Sequence, residues 1–168
     1  MHGLPATLPS PRRMRGARLT PNTCNFAWPH RGPLSWRRKV REPSTYDYAV
    51  IRVVPRVERE EFINVGVVVS CPEQQFLEAR IEFDAARVAA LDPTLDLEAI
   101  RGHLATIPLI CAGGDAAGPI GKRSPRERFR WLTAPRSTVI QFSPAHTGRC
   151  EHPAALLEHL LATMVRVP

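Results

Sequence analysis

The stretch Phe62 to Phe83, FINVGVVVSCPEQQFLEARIEF, decides the fold. In its first half Ile63, Val65, Val67, Val69 and Cys71 alternate with Asn64, Gly66, Val68 and Ser70, which is the two-residue period of a β-strand with one fully apolar face. Pro72 to Gln75 form a turn. Leu77, Ala79, Ile81 and Phe83 then alternate with Glu78, Arg80 and Glu82, the pattern of a half-exposed strand. A parallel crossover needs about a dozen residues or more, so strands joined by so short a turn are antiparallel. Gly66, inside the first of them, leaves room for a neighbouring backbone or aromatic side chain.

Working outward, Tyr46, Tyr48, Val50, Ile51, Val53 and Val54 make an earlier strand, ended by Pro55, and the charged run Arg56 to Glu61 connects it to the next. Downstream, Asp84 caps a short helix through Leu91. Asp96 starts a second helix in which Leu97, Ile100, Leu104 and Ile107 share a face before Pro108 ends it. Ala112 to Gly121, rich in glycine, reads as a flexible loop. Ser124, Pro125 and Glu127 form a capping-box start for a helix through Leu132. Ser137 to Ser143 reads as a fourth strand. Pro153 opens a last helix with the apolar stripe Leu156, Leu157, Leu160, Leu161, Met164 and Val165. The order β-β-β-α-α-α-β-α predicts an α+β fold: a four-stranded, mainly antiparallel sheet with helices packed on one face.

The chain has 168 residues and a net charge of +7, unevenly distributed. Residues 1–45 hold nine Lys or Arg against the single acid Glu42, whereas the remainder holds fourteen basic and fifteen acidic residues. Seven of the seventeen prolines also fall before residue 45. Residues 1–44 are therefore expected to be a disordered basic tail, and residues 45–168 a single, nearly neutral α+β domain. The expected origin of the tail is a translation start placed too far upstream, with Met14, or Val40 if its codon is GTG, as the true beginning. Other readings of the tail are a nucleic-acid-binding arm, a transit peptide and a degenerate twin-arginine signal around Arg12 and Arg13. No run is long and apolar enough for a membrane span or a secretory signal. Cys24, Cys71, Cys111 and Cys150 form no C-x-x-C pair, which fits reduced thiols in a cytoplasmic protein.

The densest polar feature is Lys122, Arg123, Arg126, Arg128, Arg130 and then Arg136, Ser137 and Thr138, enclosing Phe129 and Trp131. Arg126 and Arg130 stand four apart, on one helical face, and paired guanidinium forks suit a phosphate or carboxylate. The plainer reading is a solvated helix covering a sheet edge. His146, Cys150 and His152 have metal-ligand chemistry but lack a fourth ligand nearby, and nothing orients His146 as a base for Cys150. Glu58, Glu60 and Glu61 could hold Mg²⁺ with a phosphate substrate, though acids beside Arg56 and Arg59 more simply form a self-paired loop. No metal or cofactor is expected.

Four segments carry a family resemblance: Tyr46 to Arg52 (YDYAVIR), Glu60 to Val69 (EEFINVGVVV), Phe83 to Arg87 (FDAAR) and Arg128 to Cys150 (RFRWLTAPRSTVIQFSPAHTGRC). On these the chain, over residues 46–168, resembles the uncharacterised bacterial family known as domain of unknown function 3037. The resemblance implies a fold unit and a bacterial cytosol, and it carries no mechanism. It also implies a neighbouring gene for a kinase-like protein of the HipA type, and hence a protein partner. The expected function is a small non-enzymatic interaction or regulatory module, its anion- or partner-binding residues drawn from Arg126, Arg128, Arg130, Arg136, Ser137, Thr138 and His146 at one end of the sheet. The rival expectations are an enzyme acting on phosphate esters or nucleic acid through Glu60 or Glu61 and the arginines, and nucleic-acid binding through the tail.

Overall fold

A computed structural model describes residues 42–167. The expected tail lies outside the described residues except for its last three, of which Ser44 already opens the first strand. Five strands form one sheet: β1 (Ser44–Val53), β2 (Ile63–Cys71), β3 (Phe76–Ile81), β4 (Ile140–Phe142) and β5 (His146–Cys150). The order is β3-β2-β1-β4, with β5 also pairing β1, and every pairing is antiparallel. The helices are α1 (Ala85–Leu91), α2 (Leu97–Ala112), the single turn α3 (Gly118–Gly121), α4 (Pro125–Thr133) and α5 (Pro153–Met164). The α+β class and the antiparallel sheet are as the sequence patterns predict.

Strand β2 departs from its simple alternation. Ile51 pairs Gly66 but Arg52 pairs Asn64, so Val65 is the extra residue of a bulge. The bulge turns the strand over. Ile63, Val65 and Val68 share a face with Ala49, Ile51 and Val53, whereas Val67 and Val69 join Tyr46 and Tyr48 on the other. The single apolar face expected for Ile63, Val65, Val67, Val69 and Cys71 is thus divided between two cores. Gly66 is needed beside the bulge because a Cβ there would lie 2.6 Å from the Arg80 carbonyl oxygen and 3.1 Å from Ile51 Cδ1.

Both faces are therefore apolar, and helices cover both instead of the one expected. Ile100, Leu104 and Ile107 of α2 and Phe129 and Leu132 of α4 pack on the Ile51 and Val53 side. Leu157, Leu160 and Leu161 of α5, with Val165 beyond it, pack on Val67 and Val69. Helix α2 also runs through Pro108 to Ala112. The missing amide and ring clash of an internal proline cost about 3 kcal/mol, but burial of Ile110 and Cys111 beyond it holds the last turn in place.

The expected fourth strand begins later, at Ile140, and a fifth follows it along the same side of β1. Ser143 makes the junction. Its amide donates to the Val50 carbonyl (2.9 Å), and its Oγ accepts from the Val50 amide (2.9 Å) while donating to the Pro144 carbonyl (2.9 Å). The hydroxyl thus replaces a ladder carbonyl where the chain bulges. Strand β5 carries no apolar alternation; Gly148 lies opposite Tyr46, whose ring occupies the space a Cβ would need.

Candidate functional site

The arginines singled out in the sequence do not form one site. Helix α4 starts as its capping box requires, with Ser124 Oγ accepting from the Glu127 amide and Glu127 Oε2 accepting from the Ser124 amide (3.1 Å). The Ser124 hydroxyl, which also donates to Glu127 Oε2 (2.7 Å), and then the Ser124 amide hold the Glu127 carboxyl below its ordinary pKa. Helical spacing then points Arg128 inward and leaves Arg126 and Arg130 exposed, one turn apart. Arg128, 8% exposed, donates from Nη1 to the carbonyls of Ile110 (2.9 Å) and Cys111 (2.8 Å). It closes the C-terminal end of α2, where the helix dipole favours a cation. Its Nη1 caps α2, while its Nε is buried with no hydrogen-bond partner among the described residues.

Arg136 lies in the connection from α4 to β4. Its guanidinium carbon sits 4.1 Å from the centroid of the Trp131 ring, and Nη2 donates to the Trp131 carbonyl (2.7 Å). Thr138 Oγ1 donates to the Ile140 carbonyl (2.7 Å), and Ser137 is exposed beside it, in the connection and not in a strand. His146 is elsewhere. It pairs Tyr48, and the two rings stand 5.2 Å apart on the face covered by α5, whereas Ile140 and Phe142 belong to the opposite face. The expected grouping of Arg128, Arg136, Ser137, Thr138 and His146 is therefore corrected: Arg136 and Thr138 stay together, Arg128 is buried beneath α4, and His146 is across the sheet.

Arg136 and Thr138 border a groove of about 590 Å³ between α2 and the segment 131–142. One wall is the α2 stripe Asp96, Ala99, Ile100, His103, Thr106, Ile107 and Ile110, in which residues recur every three or four positions. Leu132, Ile140 and Phe142 supply apolar surface opposite. Trp131, 42% exposed, stands at the lip and also borders a second cavity with Pro119, Ile120, Arg123 and Glu127. The helical periodicity of α2 showed which residues are buried but gave no sign that the flank bearing Ala99, His103 and Thr106 would be left open. That depends on where the 131–142 segment passes.

The remaining candidates do not converge. Glu60 has φ 55 and ends a single 3-10 turn, Val57–Arg59, and Glu61 accepts from Arg59 at 2.7 Å. His152 precedes α5, and Cys150 pairs Ser44. Among the described residues no group of three or more His, Cys, Asp or Glu side chains could hold a metal ion. Cys71, Cys111 and Cys150 are free thiols, and burial pushes the Cys111 thiol up to about 12, which suppresses its reactivity. Buried Asp92 accepts from Thr94 through its amide (2.9 Å) and hydroxyl (2.6 Å) and from Arg56 Nε (3.1 Å); its carboxyl falls to about 2.

The family model for "Protein of unknown function (DUF3037)" matches residues 48–165. The chain belongs to the DUF3037 family. The match spans all five helices and the whole sheet beyond the first residues of β1, so the groove lies wholly within the DUF3037 domain. No curated protein and no solved structure matches the chain. Among the described residues no helix is long and apolar enough to cross a membrane.

Proposed function

We propose that this domain is a non-enzymatic interaction module that holds a segment of a partner protein in the groove between α2 and residues 131–142. The observation that carries the reading is the groove itself: mainly apolar on both walls, with an exposed Trp131 and a stacked Arg136 at its lip. Exposed tryptophan and arginine beside an apolar cleft are the residue types that dominate binding energy at protein interfaces. Asp96 accepts the Ala99 amide as the cap of α2 and Arg136 is held against a ring, which supports their serving as fixed contacts for a partner.

The partner we infer is the kinase-like, HipA-type protein that the family resemblance implies. The free thiols Cys71, Cys111 and Cys150 support a reducing compartment, and we place the protein in the bacterial cytoplasm. Affinity capture of that kinase-like protein, encoded beside this chain, tests the reading. Ala99 is exposed on the groove wall, so Ala99→Trp fills the groove without disturbing the core. Ala99→Trp should weaken capture by about tenfold or more, and His159→Trp, on the exposed side of α5, should leave it unchanged. Equal capture by wild type and Ala99→Trp would overturn the assignment of the groove.

A further inference from the structure

We infer that the occupant of this groove is an extended acidic segment that adds a strand to the outer edge of β4. The inference rests on the groove being the binding site and goes further, to the conformation and charge of what it binds.

The first observation is the state of the β4 edge. Among the described residues β4 has a strand partner, β1, on one side only. The Val54 amide donates to the Val139 carbonyl (2.7 Å), and the Ser143 amide donates to the Val50 carbonyl (2.9 Å). Main-chain direction alternates along an antiparallel pair, so Val139, Gln141 and Ser143 turn toward β1 and Ile140 and Phe142 turn away from it. The Ile140 carbonyl accepts from Thr138 Oγ1. The amides of Ile140 and Phe142 and the Phe142 carbonyl are left pointing outward from the sheet.

The second observation joins that edge to the groove. Thr138, Val139, Ile140, Gln141 and Phe142 all border it. The cavity thus follows the chain through β4, beside the outward main-chain groups of Ile140 and Phe142. An added strand would match the outward groups with its own main chain and set every second side chain between α2 and Phe142, the arrangement of strand-addition complexes.

The third observation is charge. Arg136, stacked on Trp131 and with no ion-pair partner among the described residues, borders the groove beside this edge. The acid bordering the groove, Asp96, already accepts an amide hydrogen bond. A segment with alternating apolar and acidic residues therefore satisfies groove, edge and lip together. A second copy of this chain would bring two guanidinium-bearing lips against each other, and this argues against edge-to-edge dimerisation.

The test uses the full chain, isotope-labelled, and an acetylated, amidated heptapeptide alternating glutamate and valine. The Ile140 and Phe142 amide signals should shift on titration and their hydrogen exchange should slow. Replacing glutamate by lysine in the peptide should weaken binding about tenfold, and Arg136→Ala should remove most of that difference. Three results would overturn the inference: unmoved Ile140 and Phe142 amides at saturating peptide, equal binding of the lysine peptide, or edge amides already protected in the free chain. If the peptide fails while Ala99→Trp still blocks capture of the kinase-like protein, strand addition falls and the groove assignment stands.

Discussion

Gly113 and Arg128 are fitted to one another: with φ at 78° the glycine leaves open the space that Nη1 of Arg128 fills, and a Cβ there would overlap it. The pair ends α2 from two sides. Gly113 supplies the positive-φ residue that ends the helix, with its amide bonded to the Leu109 carbonyl (2.9 Å), and Arg128 takes the Ile110 and Cys111 carbonyls. Because α2 is one wall of the groove, the pair also sets where that wall ends.

Removing Arg128 strands two buried acceptors. Arg128→Ala should destabilise the domain by about 2–5 kcal/mol, since each unsatisfied buried group costs about 1–3 kcal/mol. Gly113→Ala should cost about 1–3 kcal/mol from the positive φ alone, with the overlap added. Urea unfolding measures both, and Arg126→Ala on the exposed side of α4 should stay within about 0.5 kcal/mol of wild type.

Ser143, 2% exposed, offers a narrower test of how β4 passes into β5. Ser143→Ala leaves the Val50 amide without its acceptor and should cost about 1–3 kcal/mol in urea unfolding. Amide exchange should accelerate first at Val50, ahead of the rest of β1.

The pH dependence follows from Asp92. Its carboxyl titrates at about 2 in the folded chain against about 3.9 when unfolded, so the stability it contributes is fully present above about pH 4 and is lost as pH falls toward 2. Asp92→Asn should flatten the acid limb of the stability profile in that window. Glu82, lowered by its bonds to Arg166, contributes with the same sign.

Cys111 has the opposite sign. The unfolded thiol ionises from about pH 8.5, whereas the folded one holds its proton to about 12, so stability should decline as pH rises above about 8.5. At pH 8 an alkylating reagent should leave Cys71 and Cys111, both buried, unmodified until the chain unfolds. Mass mapping of modified thiols across a urea series checks this.

Much of the fold was legible in local patterns because the physics there is local. Asp84, Asp96 and Ser124 cap helices where their side chains can accept amides, and α5 begins at Pro153 with its leucine stripe inward. What was not legible depends on distant partners. The bulge at Val65 is set by pairing with β1, and β5 owes its existence to the free half of that strand. Pro108 is tolerated because of residues that pack far along the chain. The arginine cluster is divided for the same reason: helical spacing places Arg126 and Arg130 together, but only tertiary structure buries Arg128 and puts His146 across the sheet. The groove needed two segments to meet, α2 and residues 131–142, and no short motif announces such a meeting.

The most direct test of the central claim, that the α2 side of the sheet and not the α5 side receives the partner, is a hydrogen-exchange footprint of the full chain bound to the kinase-like protein. The account expects slowed exchange in residues 96–110 and 131–142, with Tyr46, Tyr48 and His146 unchanged. Protection around Tyr48 and His146 with none along the groove would contradict it.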